Sequence, residues 1–286
     1  AINFASEIKS IPLQKQVNEK MLHNYLEYGK YPAIKTFFKK IYNVEPSSIL
    51  KFNKDGVCKY KYFDLPEQVK VLKNENFSLE KFYSILKNSI QIRQRSDVKV
   101  NFHLSGGIDS TALLILTKDY WQRNDHLETF TFSYKGYEHD EFSFVKKISK
   151  KLGINNYKIQ INPEEIPVLA NKLQYYQDEP FGGLAAVAEY KLNLEQKKLN
   201  NIVSFEGMGG DEALGGYKSH FLLAIRDLYY SESNPFLLKQ MIKYSGLNVK
   251  TILNLTNFFI ESNFSGSTDL SEIRIKNNYK KNYKNN

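Results

Sequence analysis

The sequence predicts an α/β protein with a doubly wound, mainly parallel sheet and a helical C-terminal region. Three observations carry this expectation. From about residue 98, short apolar strand-like runs alternate with longer segments of helical spacing, the pattern of parallel strands joined by crossover helices. Two of those runs end in glycine-rich turns that open helices, at Leu104–Ser110 and at Glu206–Tyr217. Beyond about residue 218 the pattern is helical throughout and ends in a polar tail.

The elements follow in order. "KQVNEKMLHNYLEYG" places Val17, Met21, Leu22, Tyr25 and Leu26 on one helical face, and Gly29 with Pro32 stops it. "SILKFNKDGVCKYKYF" is a hairpin turning at Asn53-Lys54-Asp55-Gly56, because Asp-Gly favours the positive φ of tight hairpin turns. Ser78 is placed to cap a helix whose apolar side carries Phe82, Ile85, Leu86 and Ile90. Then come strand "VKVNFHL", helix "DSTALLILTKDYW", strand "ETFTFSY", helix "DEFSFVKKISKKLG" stopped by Gly153, and strand "YKIQIN". Helices "VLANKLQYYQD" and "AAVAEYKLNLEQKKL" precede a last strand, "NIVSFEG". No internal repeat is evident.

Composition narrows the function classes. The chain has 286 residues, 42% hydrophobic and 14% aromatic, enough for a core in one large or two small domains. Its apolar runs are far shorter than a membrane span needs, and the first residues lack the charged start and apolar stretch of a secretory signal. A cytoplasmic location is expected. The single cysteine, Cys58, excludes an internal disulfide and reads as a strand thiol. The histidines (His23, His103, His126, His139, His220) show no zinc-ligand spacing. A net charge of +9 suits an anionic partner, either nucleic acid or a nucleoside triphosphate. The basic residues are scattered outside the tail "RIKNNYKKNYKNN", which disfavours nucleic acid and makes the tail a solvating segment.

"NFHLSGGIDSTALLIL" carries the chemistry. A strand-to-helix turn points several unpaired N–H groups outward at the positive end of the helix dipole, where a phosphate binds well. Gly106 and Gly107 let the backbone curl close to such an anion. Ser105 and Ser110 add hydroxyls. Asp109 would repel a phosphate unless a cation lies between them, and Mg²⁺ resolves that conflict. The Walker pattern and G-x-G-x-x-G are both absent.

"LSGGIDS" resembles the S-G-G-x-D-S pyrophosphate loop of the PP-loop ATP pyrophosphatases, a superfamily with the adenine nucleotide alpha hydrolase-like fold. These enzymes split ATP between the α and β phosphates. "SFEGMGGDEALGGYKSHF" resembles S-G-E-G-x-D-E-x-F-G-G-Y of the asparagine synthetase family, with Gly207, Gly209, Asp211, Glu212, Gly215, Gly216 and Tyr217 in register. The resemblance runs over about residues 2–220 and is sharp only in these two loops. It implies residues 1–70 as the remnant of a glutaminase-type domain and linker, 71–265 as an ATP-binding synthetase domain, and 266–286 as a basic tail. It also implies ATP contacts from Leu104, Ser105, Gly106, Gly107, Asp109, Ser110, Phe132, Glu206 and Gly207, and Mg²⁺ held by Asp109 and Asp211. Asp140-Glu141 reads equally as part of that family pattern or as an ordinary helix-start pair. "YYQDEPFGG", with Asp178 and Glu179, is either an acceptor-pocket segment or a turn.

Three departures qualify the resemblance. Residue 1 is Ala, not the N-terminal cysteine nucleophile of the glutaminase domain. Met208 stands where the family has a glutamate, and methionine cannot move a proton. Glu206, two positions earlier, is the candidate substitute. The family's later lysine-bearing segment has no counterpart, and Lys218 does not match it. The expected activity is an ATP-dependent amide-forming ligation with Asp109, Asp211 and Glu206 as catalytic groups. The acceptor is a small-molecule carboxylate, by default aspartate, and the donor is ammonia or an amine, with a separate glutaminase domain or subunit as one source. The alternatives are a nucleotide-binding, non-catalytic homologue and a tRNA-modifying PP-loop enzyme.

Overall fold

The computed structural model describes residues 2–29, 34–54, 56–72, 78–123, 126–134, 136, 138, 140–232 and 234–264. The basic tail, Asp55 of the hairpin turn, Pro32 and His139 lie outside them. The chain divides into two compact units, Ala1–Lys73 with Gly215–Asn286, and Asn74–Leu214.

The first unit begins with helix α1 (Glu19–Tyr28), which ends at Gly29 in the left-handed conformation, φ 71°. The inward face agrees with the expected one at Met21 and differs at the two leucines. Met21 and Asn24 are buried, whereas Leu22 and Leu26 are exposed, and Val17 lies before the helix in a bridge to Phe38. Packing against the 34–42 segment, where Phe37 meets Tyr25 edge-on, rotates the helix so that a polar residue is enclosed. Strands β1 (Ser48–Asn53) and β2 (Gly56–Lys61) form the expected antiparallel hairpin, with Cys58 exposed on β2. Helix α2 (Leu65–Leu72) follows.

The second unit opens with α3 (Leu79–Arg93), where the Ser78 hydroxyl accepts the Lys81 N–H. Ile90 is buried on it and Ile85 is exposed. Strand β3 (Val100–His103), helix α4 (Ile108–Asp119), strand β4 (Glu128–Phe132), helix α5 (Phe142–Leu152) and strand β5 (Asn155–Ile159) alternate as the pattern requires. Helices α6 (Ile166–Gln177) and α7 (Leu184–Lys198) precede the short strand β6 (Val203–Phe205) and helix α8 (Gly210–Leu214).

The strand order is β5-β4-β3-β6, and every neighbouring pair is parallel. Alternation along β3 sends its residues to opposite faces. On one face Val100, Phe102 and Leu104 pack with Leu114 of α4, Val145 of α5 and Phe205 of β6. On the other, Asn101 and His103 meet β6 and α7 through hydrogen bonds. A second apolar cluster, around Leu169, Leu173 and Val187, joins α6 to α7. Helices on both faces of a parallel sheet make the doubly wound α/β fold.

The chain then returns to the first unit through α9 (Lys218–Ser231), α10 (Pro235–Ser245) and α11 (Val249–Phe264). These three pack around Leu222, Ile225 and Ile252, the helical C-terminal region that the periodicity predicts. Among the described residues no helix is long and apolar enough to cross a membrane.

Candidate active site

The strand order sets the site. After β3 the chain winds one way to β4 and β5, then returns to lay β6 on the other edge of β3. At such a switch point the loops leaving the C-terminal strand ends diverge and open a crevice. The two loops there are Leu104–Ser110 after β3 and Glu206–Asp211 after β6, so the fold brings both motifs to one place.

Leu104 is buried and anchors the first loop. Its N–H donates to the Phe130 carbonyl at 2.9 Å, and its carbonyl accepts from the Thr131 hydroxyl at 2.8 Å. The Ser105 hydroxyl accepts from the Gly107 N–H at 3.2 Å and lies 3.0 Å from the Ser110 hydroxyl. Ser110 donates back to the Gly107 carbonyl. Gly107 is the N-cap of α4, and among the described residues no side chain caps the helix. The first-turn N–H groups are therefore free for an anion.

The loops interlock through glycine. A Cβ on Gly210 would sit 2.8 Å from the Asp109 carboxyl carbon and 2.9 Å from its Oδ2. A Cβ on Gly207 would sit 3.0 Å from the Ser110 backbone nitrogen. The Asp109 carboxylate thus rests against the backbone that leads directly into Asp211, and only hydrogen fits between them. Gly106, at φ +94°, would bring a Cβ within 2.9 Å of Glu141 Cβ and 3.0 Å of Glu141 Oε2. The Asp140-Glu141 pair divides its work. Asp140 accepts from the Ser133 hydroxyl (2.6 Å) and from the Phe142 N–H (3.1 Å), tying the end of β4 to the start of α5. Glu141 is left lying over Gly106.

Phe132 ends β4, and its ring meets Tyr134 edge-on at 4.7 Å. Glu206 is exposed and faces His103, with Oε2 3.6 Å from Nδ1. Met208 is 74% exposed. Asp178 takes a left-handed conformation at the end of α6, and the Gln174 amide donates to the Glu179 carbonyl, so this segment is built as a helix stop. Sequence reasoning missed His103 and the contact of Glu141 with Gly106. The signal for His103 was its place at the last position of a strand, directly before the loop.

Among the described residues no group of three or more His, Cys, Asp or Glu gathers as a metal site. Two carboxylates with phosphate oxygens completing the shell are the set that a Mg²⁺–nucleotide needs, since Mg²⁺ commonly takes one or two protein carboxylates. The glycine cradle and uncapped helix are chemically suited to phosphates, and Asp109, resting on the backbone that leads into Asp211, supplies one carboxylate of that donor set.

The family described as asparagine synthase matches residues 81–277. Asparagine synthetase 1 (glutamine-hydrolyzing) of Bacillus subtilis is 26% identical over 99% of this chain and 45% of its own length. A Methanocaldococcus jannaschii protein assigned as glutamine-hydrolyzing asparagine synthetase 2 is 29% identical over 76% of this chain and 43% of its own. The chain spans about half the length of these curated relatives. An NH3-dependent NAD synthetase of Campylobacter jejuni is similar at a TM-score of 0.40 and 14% identity, over 67% of this chain and 98% of that one. The match over most of the second unit and on to residue 277, together with the two interlocked loops, leads to one conclusion: the chain belongs to the asparagine synthase family.

Proposed function

We propose that the chain is the synthetase part of an ATP-dependent amide-forming ligase. The carrying observation is the contact of Asp109 with Gly210, which joins the phosphate-type loop to the acidic loop. In the proposed reaction an acceptor carboxylate oxygen attacks the α-phosphorus of ATP and the bond to the β-phosphate breaks. Pyrophosphate leaves toward the Ser105–Ser110 N–H groups. Ammonia or an amine then attacks the activated carbonyl carbon, the C–N bond forms, AMP departs, and a base takes the proton. Mg²⁺ would supply charge neutralisation between Asp109, Asp211 and the phosphates. Leu104 and Phe132 are proposed to border the nucleotide, and Glu206 and Gly207 to approach it from the second loop.

Aspartate is the default acceptor, and Met208 in place of an acid opens the site to another carboxylate. The nitrogen is proposed to come from free ammonia, an amine, or a separate glutaminase domain or subunit. We further propose residues 71–265 as the synthetase domain, 1–70 as linker and glutaminase-type remnant, and a cytoplasmic location. The exposure of Met208 favours a second reading, a nucleotide-binding homologue without turnover.

AMP release, screened over carboxylate acceptors with ammonium present, separates the two. AMP formed only with a carboxylate and ammonium supports the ligase, whereas ATP binding without AMP from any acceptor supports the second reading. Asp109→Ala should abolish Mg²⁺-dependent ATP binding by calorimetry, and unchanged affinity would sink the phosphate-site assignment.

A further inference from the structure

A chain of polar side chains runs from the buried sheet to Glu206, and its direction can be read from one end. Asn101 is fully buried on β3, and its amide NH₂ donates to the Val203 carbonyl at 3.0 Å. A backbone carbonyl only accepts, so the orientation of this amide is fixed. Its oxygen therefore accepts, and the Ser204 hydroxyl donates to it at 2.9 Å. With its one proton committed, Ser204 accepts from the Gln196 amide nitrogen. The Gln196 oxygen consequently faces His103 Nε2, at 2.6 Å, and Nε2 carries a proton. Gln196 is 4% exposed, and reversing its amide would set its oxygen against the Ser204 oxygen, two acceptors in contact. His103 Nδ1 is left pointing at Glu206 Oε2, 3.6 Å away.

We propose that His103 is a positioning residue for Glu206, and that Glu206 so held is the base that takes the proton from the attacking nitrogen. This rests on the ligase reading. The nitrogen's lone pair forms the C–N bond, the C–O bond to AMP breaks, and the nitrogen's proton moves to Glu206. Nδ1 is the one ring position that the sheet leaves open, and it is an acceptor, so once Glu206 has taken the nitrogen's proton its carboxyl donates that proton to Nδ1 and the pair holds it as a unit. Met208, adjacent in the same loop, has no group that could do this.

Two measurements on the full chain test this. Nitrogen-15 NMR of labelled histidine, with His103 assigned by its loss in His103→Phe, should show Nε2 protonated. In Gln196→Leu that preference should disappear. A neutral His103 with its proton on Nδ1 would overturn the positioning claim, whether or not the protein is a ligase. Separately, pyrophosphate exchange reports adenylation and amide release reports the second step. His103→Phe should slow amide release about 100-fold and leave exchange within about threefold. In the Glu206→Gln background, His103→Phe should cost nothing further, because the pair acts as one unit. Additive losses, or equal losses in both steps, would overturn the proposal. Absence of exchange with every carboxylate would instead remove the ligase reading, and the base role of Glu206 with it.

Discussion

Gly210 is outside the left-handed backbone region, so its lack of a side chain has another cause: the Asp109 carboxylate occupies the space a Cβ would need. Gly210→Ala should therefore displace Asp109 while leaving the loop's backbone unstrained. The expected result is about 1–3 kcal/mol of destabilisation in denaturant titration, the usual cost of overpacking, with loss of Mg²⁺-dependent ATP binding. Met208 is the opposite case. It is exposed, so Met208→Glu should alter stability by less than about 0.5 kcal/mol. If Glu206 already serves as the base, amide formation in that variant should stay level or rise. A loss of amide formation would place Met208 in an acceptor pocket. At this scale the turn holding Ser105, Gly106 and Asp109 was readable, because glycines between an apolar strand and a helical run announce a strand-to-helix turn. Gln196 was not readable, an ordinary helix glutamine until Ser204 and His103 are brought to it across the fold.

Elements are held by their ends as much as by their faces. The Ser78 hydroxyl satisfies one N–H at the start of α3, and Ser78→Ala should lower stability by about 1 kcal/mol, measurable as a shift in the denaturant midpoint. At the other end of α3, Arg123 donates to the carbonyls of Gln94, Ser96 and Val98, which have no further turn of helix to accept from. Arg123→Met should cost about 1.5–3 kcal/mol, because two part-buried carbonyls and one exposed carbonyl lose a charged donor. Element order and type were legible because strands and helices differ in period. Facing was less so. In α1 the apolar count points to Met21, Leu22 and Leu26, but only Met21 of these is buried, and Asn24 is enclosed with it. A short helix against a loop segment takes its rotation from that partner, and one enclosed asparagine is invisible to a count of apolar residues. The pair Asp140-Glu141 likewise reads equally as family pattern or ordinary helix start until α5 is set beside the β3 loop.

For the molecule as a whole, charge couples stability to pH in an ion-pair cluster along α7. Lys191 bridges Glu165 and Glu195. Hydrogen bonding to Lys191, and to the Asn162 N–H, holds Glu165 below the usual carboxylate range. Lys198 first and Lys191 second do the same for Glu195. Hydrogen bonding to Glu165 raises Lys191. Carboxylates lowered in the folded state stabilise at neutral pH, and that contribution fades as pH falls below the ordinary glutamate range of about 4.3. The raised lysine contributes below its ordinary range and loses that contribution in strong alkali. Lys191→Met should therefore flatten the acid limb of a midpoint-versus-pH curve, and an unchanged acid limb would refute the assignment. The parallel sheet was foreseeable from alternation, but the position of β6 beside β3 came only from the fold.

That position has a kinetic corollary. Ser204 and Asn101 touch although 103 residues separate them, whereas β4 and β5 pair with nearer neighbours. Closing so long a loop is slow, so the β3–β6 seam should be the last part of the sheet to zip. Trp121 packs on the core around Val100 and Leu114, and its fluorescence should recover early in refolding. Capacity to bind nucleotide should return later, because the crevice does not exist until the seam has closed. Ligand binding in this chain would then serve as a clock for the completion of folding.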